Sequence, residues 1–354
     1  MRREVHKFGG ASVRDAEAVG NVGRIVLGLC SAGVQPIVVV SAMAKTTNAL
    51  EKIWTGLPEG GPVEDRCIEV LDFHADVVRD LSLPSDLLQE DVAKFLSVAH
   101  ALNGRTQSSE GYDALVGFGE CMSTRIVHAH LVQLGLPAHW LSAWKLIRTD
   151  TSHRAAMVEL EATGDAVKQA LSAIGGGLAV TQGFVGGAAS GAPTTLGREG
   201  SDFSGALLAE AAHAERLTVW KDVEGVMTGD PRRWPFAQKI DRLDHGTAER
   251  MSRAGAGVLH PATMAPLRRA GIPLEVRSFQ QPKGLGTVVE ESPVADHLPV
   301  LWAFGRGASG TEEVRCITDH TAQAIAEWNA AFPDRLASSA VADPDIEGCS
   351  RLVF

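Results

Sequence analysis

The chain has 354 residues, enough for one large domain or two ordinary ones with a sizeable core. Its 43 acidic against 33 basic residues leave a formal net charge of −10, which argues against nucleic acid or a membrane surface as partner but not against a phosphorylated small molecule at a local basic site. Five scattered cysteines (Cys30, Cys67, Cys121, Cys316, Cys349) form no Cys-x-x-Cys pair, no apolar run approaches a membrane span, and the charged start "MRREVHKFGG" has no apolar signal core behind it, so a reduced, soluble, cytoplasmic protein is expected.

The first apolar segment ends in "VHKFGGASV", Val5 to Val13. Gly9 and Gly10 let the backbone turn sharply and let a ligand approach main-chain N–H groups, and Lys7 adds a positive point charge beside them. That combination offers a place for phosphate; a tight turn with a solvated lysine is the plainer alternative. Val19, Val22, Val26 and Leu29 recur at helical spacing, and "PIVVV", Pro36 to Val40, is a β-branched run of the kind buried in a parallel sheet. Glu120, in "GFGECMST", falls near the start of a helix, where the dipole alone favours a carboxylate.

The alternation returns with "LAVTQGF", "SDFSGALLAEAAHA", "RLTVW", "ATMAPLRRAG" and "IPLEVRSF". Strands separated by helices predict right-handed βαβ units, a mostly parallel sheet and helices on both faces. Ligands in such sheets sit at the carboxyl ends of the strands, so the loops "GGASV", "SAMAKTTN" and "GGAASGAPTTLGREGSD" are expected to share one rim. In the last of these, Arg198 presents a planar fork for a carboxylate or phosphate, and Ser201 or Asp202 can cap a helix whose N-terminus favours an anion. A capped helix with a surface arginine accounts for the same residues.

Familiar nucleotide signatures are absent: there is no G-x-x-x-x-G-K-[ST]. Gly305, Gly307 and Gly310 spell G-x-G-x-x-G, but the following "TEEVRCIT" reads as strand, so a dinucleotide site is not expected there. The histidines show no ligand spacing, and no protein-caged metal is expected.

Seven stretches, "KFGGAS", "SAMAKTTN", "GFGECMST", "TQGF", "TTLGREGSD", "WKDVEGVMTGDPR" and "GAGVLHPATMAPL", stand in the order found in aspartokinases. From Glu4 to Val289 the chain resembles that family, part of the amino acid kinase superfamily. The resemblance implies an α/β fold, an αβα sandwich with a mostly parallel sheet. It assigns residues 1–291 to a catalytic domain and 292–354 to a short C-terminal α+β segment, a partial ACT-like unit of strands around the helical "TAQAIAEWNAAF". The implied reaction takes L-aspartate and ATP to 4-phospho-L-aspartate and ADP, with Mg²⁺ held mainly by ATP oxygens and water, in a homodimer. An aspartate carboxylate, with a pKa near ~4, is already a nucleophile at neutral pH and needs no base. The remaining task is to align two anions and neutralise charge on the transferred phosphoryl group.

Residue by residue, the resemblance places Lys7, Gly9, Gly10 and Ser12 at the phosphates, with Asp202 orienting Lys7. Lys221, Asp222, Met227, Arg232 and the position of Gly257 would lie along the nucleotide. Ser41, Thr47, Glu120, Phe184, Arg198 and Ser201 would hold the amino acid, Glu120 taking its ammonium and Arg198 a carboxylate. The chain departs from the family at Ala11 (usually threonine or serine), Glu199 (usually glycine), Met227 (near which an aromatic is usual) and Gly257, where a phosphate-contacting lysine is common. Lys221, often threonine in the family, would be placed to supply part of the missing charge. These departures leave open a kinase acting on another amino acid or carboxylate, or a catalytically impaired regulatory homologue.

Overall fold

A computed structural model describes residues 2–197, 200–255, 259–291, 300–306, 312–318 and 321–353. The chain divides into two units, Met1–Asp222 and Val223–Phe354. In the first, Arg2–Phe8 (β1) leads through Ala16–Ser31 (α1) to Val34–Val40 (β2). Asp15 caps α1 by accepting from Ala18 N at 2.8 Å, and the helix buries Val19, Val22 and Val26. β2 is buried at every position, as its β-branched run requires. Thr46–Gly56 (α2), Val63–Asp80 (α3), Gln89–Leu102 (α4), Ser109–Val116 (α5) and Phe118–Gln133 (α6) follow. Next come Ala138–Leu141 (β3), the short Ala143–Leu146 (α7), Arg148–Thr149 (β4), Leu160–Ala173 (α8) and Leu178–Gln182 (β5). Val185–Ala188 (β6), Pro193–Thr195 (β7), Gly200–Ala211 (α9) and Leu217–Lys221 (β8) complete the unit.

The strands β3-β5-β2-β1-β8 lie in that order, all parallel. Pairing fixes the faces, because side chains alternate along each strand. Phe8, Val40, Gln182 and Trp220 share one face; Lys7, Val39, Leu217 and Val219 share the other. On the first face, α6 holds the sheet through Thr124 Oγ1, which accepts from Trp140 Nε1 at 3.0 Å and Gln182 Nε2 at 2.8 Å. On the second, α9 lies so close that a Cβ on Gly205 would stand 3.1 Å from Leu217 Cδ1 and 3.5 Å from Lys7 Cβ. Helices on both faces of a parallel sheet make the expected sandwich.

One expectation is corrected. The glycine-rich stretch after β5 is not all loop: β6 and β7 pair antiparallel, and β6 pairs in parallel with β4. Its glycines serve packing. A Cβ on Gly187 would lie 2.1 Å from Trp144 O, and one on Gly186 would lie 2.8 Å from Thr149 Cγ2.

The second unit contains Arg242–Asp244 (β9), His245–Ala254 (α10), Pro261–Ala270 (α11), Leu274–Ser278 (β10) and Thr287–Glu290 (β11). Beyond them lie Leu301–Arg306 (β12), Glu312–Ile317 (β13), Thr321–Ala331 (α12), Ser339–Ala342 (β14) and Cys349–Val353 (β15). The last four strands form one antiparallel sheet, ordered β12-β13-β15-β14. Trp302, Val314, Cys316, Trp328 and Leu352 share a core with Trp234. Trp302 N donates to Thr228 O at 2.6 Å and Arg315 Nη1 to Ala254 O at 3.4 Å, tying this sheet to residues upstream of it. Within "TEEVRCIT", Glu312–Ile317 is strand (β13), as expected; Gly307, Gly310 and Thr311 lie outside the described residues. Among the described residues no helix is long and apolar enough to cross a membrane. All five cysteines are free thiols.

Candidate functional site

Of the three loops expected at one rim, those after β1 and β2 meet there, together with the turn after β5. Ser41 N donates to Phe8 O at 3.0 Å, Ala44 N to Gly10 O at 3.1 Å and Gly183 N to Val40 O at 3.0 Å. The two glycines after β1 differ in what they are for. A Cβ on Gly10 would stand 2.8 Å from Ala42 O and 2.9 Å from Ala44 O, so glycine lets the loop after β2 approach. A Cβ on Gly9 would meet only Lys7 Nζ at 3.6 Å and Trp220 O at 3.9 Å, so the protein itself does not demand glycine there. A side chain at Gly9 would instead stand in ordinary contact with the Lys7 ammonium. Ser12 is buried, and its hydroxyl donates to Trp220 O at 3.3 Å.

The charges at this rim are unusual for their burial. Asp202, in the first turn of α9, lies 2.6 Å by Oδ1 from Lys7 Nζ and 3.2 Å by Oδ2 from Lys221 Nζ. Burial pushes its pKa up, but Lys7 and then Lys221 outweigh that and hold the carboxyl below its ordinary value. Asp202 is therefore a carboxylate that orders two ammonium groups, and a poor proton acceptor.

Glu120 is the opposite case. In the first turn of α6 and 3% exposed, it accepts from Ala42 N through Oε1 at 3.3 Å, while the buried Oε2 has no partner. Burial pushes its pKa up to about 8, only partly offset by backbone N–H groups and the charge of Lys7. A buried carboxyl with one unpartnered oxygen is costly as it stands.

Of the other expected residues, Ser41 and Thr47 are half-buried and Ser201 is buried. Phe184 joins β5 to β6 with φ +70, held by Ser204 Oγ, which accepts its N–H at 2.9 Å, and by Leu196 N, which donates to its carbonyl at 2.8 Å. A Cβ on Gly183 would lie 2.6 Å from Ser201 Cβ, so this turn sits against the start of α9. Asp222 is exposed at the end of β8. Met227 and Arg232 belong to the second unit: Met227 bridges Lys239, and Arg232 grips the Asp230 carboxylate at 3.0 Å. Arg198, Glu199 and Gly257 lie outside the described residues.

Asp113 is absent from the sequence-level candidates, yet it anchors the approach to α9. Fully buried on α5, it accepts from Thr195 Oγ1 at 2.7 Å, Thr195 N at 3.1 Å, Arg154 N at 3.0 Å and His153 Nδ1 at 3.0 Å. The available signal was a lone acid inside the apolar helical stretch "YDALVGF".

No group of three or more His, Cys, Asp or Glu among the described residues could hold a metal ion. The rim thus offers two ammonium groups for an anion and one carboxyl for a cation.

Comparison with known proteins identifies the family. The chain is 37% identical over 289 residues to lysine-sensitive aspartokinase 3 of Escherichia coli K12, covering 80% of this chain and 63% of that protein. It is 36% identical to aspartokinase 2 of Arabidopsis thaliana chloroplasts, covering 81% of this chain and 54% of that one. The chain therefore spans less than two thirds of the length of these relatives. The crystal structure of E. coli aspartokinase III in complex with aspartate and ADP superposes with a TM-score of 0.77 at 31% identity, over 99% of this chain and 78% of that one. The profile of the amino acid kinase family matches residues 2–278, and the chain belongs to that family.

Proposed function

We propose that the chain phosphorylates the side-chain carboxylate of L-aspartate with ATP, giving 4-phospho-L-aspartate and ADP. The observation that carries this reading is the buried, unpartnered Oε2 of Glu120 at the rim where Lys7 and Lys221 flank Asp202. Glu120 takes the ammonium of the amino acid, with Ser41, Thr47, Phe184, Ser201 and Arg198 as the remaining wall of its pocket. Lys7 and the N–H groups of Gly9 and Gly10, with Ser12 behind them, take the phosphates. Asp222, Met227, Arg232 and the backbone at Gly257 serve the nucleotide.

In the reaction a carboxylate oxygen of aspartate bonds to the γ-phosphorus. The bond from that phosphorus to the β–γ bridging oxygen breaks, and its electron pair leaves with ADP. No proton need move, which suits a site whose central acid, Asp202, is held ionised. The work left to the protein is alignment and charge neutralisation. Mg²⁺ fits this site only as a companion of the nucleotide, since the described residues build no carboxylate cage; phosphate oxygens and water would hold it. We propose in addition that the chain forms a homodimer and works in the cytoplasm.

ADP release measured across a panel of amino acids tests the reading. Aspartate should be turned over and the other amino acids should not. Turnover of a different amino acid, or nucleotide binding without any turnover, would replace it.

A further inference from the structure

We infer, on the phosphoryl-transfer reading of this site, that Lys221 is its second catalytic cation, contacting the transferred phosphoryl group together with Lys7. The two lysines come from neighbouring parallel strands. Lys7 pairs with Val219, and Lys221, two residues further along β8, points to the same face one pleat on. α9 covers that face and lowers Asp202 between them.

The charge balance carries the inference. A buried carboxylate needs one counter-ion, and Lys7 at 2.6 Å already supplies it. Lys221 makes the cluster net positive, although the side chains of Lys7, Asp202 and Lys221 are only 8%, 3% and 22% exposed. Surplus positive charge in so sheltered a place is costly until an anion joins it.

Among the described residues Asp202 is the sole ionic partner of either ammonium, and it occupies only part of their donor capacity. Gly9 stands beside this cluster. A Cβ added to Gly9 would be bounded by Lys7 Nζ and by the carbonyl of Trp220, the residue before Lys221. The two ammonium groups are held to the two oxygens of one carboxylate, so an oxygen-rich anion that meets one can reach the other. A lysine held by the same carboxylate as Lys7 is preorganised, so it adds charge stabilisation without reorganising during the reaction.

The test compares Lys221→Met, Lys221→Arg and Lys7→Met in the full chain, with kcat and KM for each substrate from ADP release. Lys221→Met should lower kcat by about 10²–10³-fold while KM for aspartate stays within about threefold of wild type. Lys221→Arg should recover at least about tenfold of that loss, since it restores the charge. Lys221→Gln keeps a donor to Asp202 and takes the place of the methionine variant if that one does not fold. A folded Lys221→Met or Lys221→Gln enzyme with kcat within about threefold of wild type overturns the assignment. If wild type fails to turn over aspartate, the substrate reading falls by itself and calorimetric MgATP affinity decides for Lys221. A loss of about tenfold or more in Lys221→Met, comparable to Lys7→Met, upholds it, and unchanged affinity removes it.

Discussion

With its carboxyl pushed up to about 8 by burial, Glu120 carries a proton at neutral pH, and on the proposed function this couples to binding of the amino acid. An ammonium group docking on Oε2 is attracted by the carboxylate, so the proton must leave as the ligand arrives. Below about pH 8 proton and ligand compete, and the affinity for aspartate should rise roughly tenfold per pH unit towards that value and then level off. Calorimetry at pH 7 in two buffers of different ionisation enthalpy should register release of close to one proton per aspartate bound. Binding without proton release would mean that the ammonium sits elsewhere. The adjacent glycines give a second contrast. Gly9→Ala should leave thermal stability unchanged and weaken MgATP binding, because its methyl group meets the protein only at ordinary contact distance but stands 3.6 Å from Lys7 Nζ. Gly10→Ala should cost about 1–3 kcal/mol in a denaturant titration, because two backbone oxygens under 3.0 Å away must move. Equal behaviour of the two variants would erase the distinction between a ligand-facing and a packing glycine.

At the scale of elements, Asp113 joins α5, the turn at His153 and Arg154, and the end of β7 through one carboxylate. Asp113→Ala leaves buried N–H groups unpaired and should cost about 3–5 kcal/mol, whereas Asp113→Asn, which keeps an acceptor, should cost less. Denaturant midpoints of the two variants check this; a silent Asp113→Ala would mean that the turn finds other partners. The sequence reveals β1, β2, β5, α9 and β8 because β-branched runs and small-residue helices mark them locally. It conceals β6 and β7, whose glycines look like loop and become strand only against the backbone of Trp144. Lys7, Gly10, Glu120 and Asp202 were legible as a set because motif order supplies their context. Asp113 was not, since its hydrogen bonds join residues 40 to 82 positions away in sequence, a relation no local pattern encodes. For the same reason, that Lys221 shares Asp202 with Lys7 emerges only when β1 and β8 are laid side by side.

At the scale of the whole molecule, the two units rest on different chemistry. The first is a parallel sheet of aliphatic and β-branched strands between helices. In the second, a sheet and one helix close over aromatic rings: Trp328 stands 4.3 Å from Phe332 between ring centroids, and its indole N–H donates to Arg335 O at 2.7 Å. Trp328→Ala should cost the second unit about 3–5 kcal/mol, read by hydrogen exchange of β12 and β13 while β1 and β2 keep their protection. Loss of protection in β1 and β2 as well would show that the aromatic core also supports the first unit. The ring spacing has an optical consequence. Centroids of Trp234, Trp302 and Trp328 lie 4.6, 5.7 and 6.2 Å apart, close enough for their excited states to couple. The other four tryptophans of the chain, Trp54, Trp140, Trp144 and Trp220, lie in the first unit. The second unit thus carries a built-in chromophore trimer, whose paired far-ultraviolet circular dichroism lobes should vanish when that unit opens, giving a label-free spectroscopic record of its state.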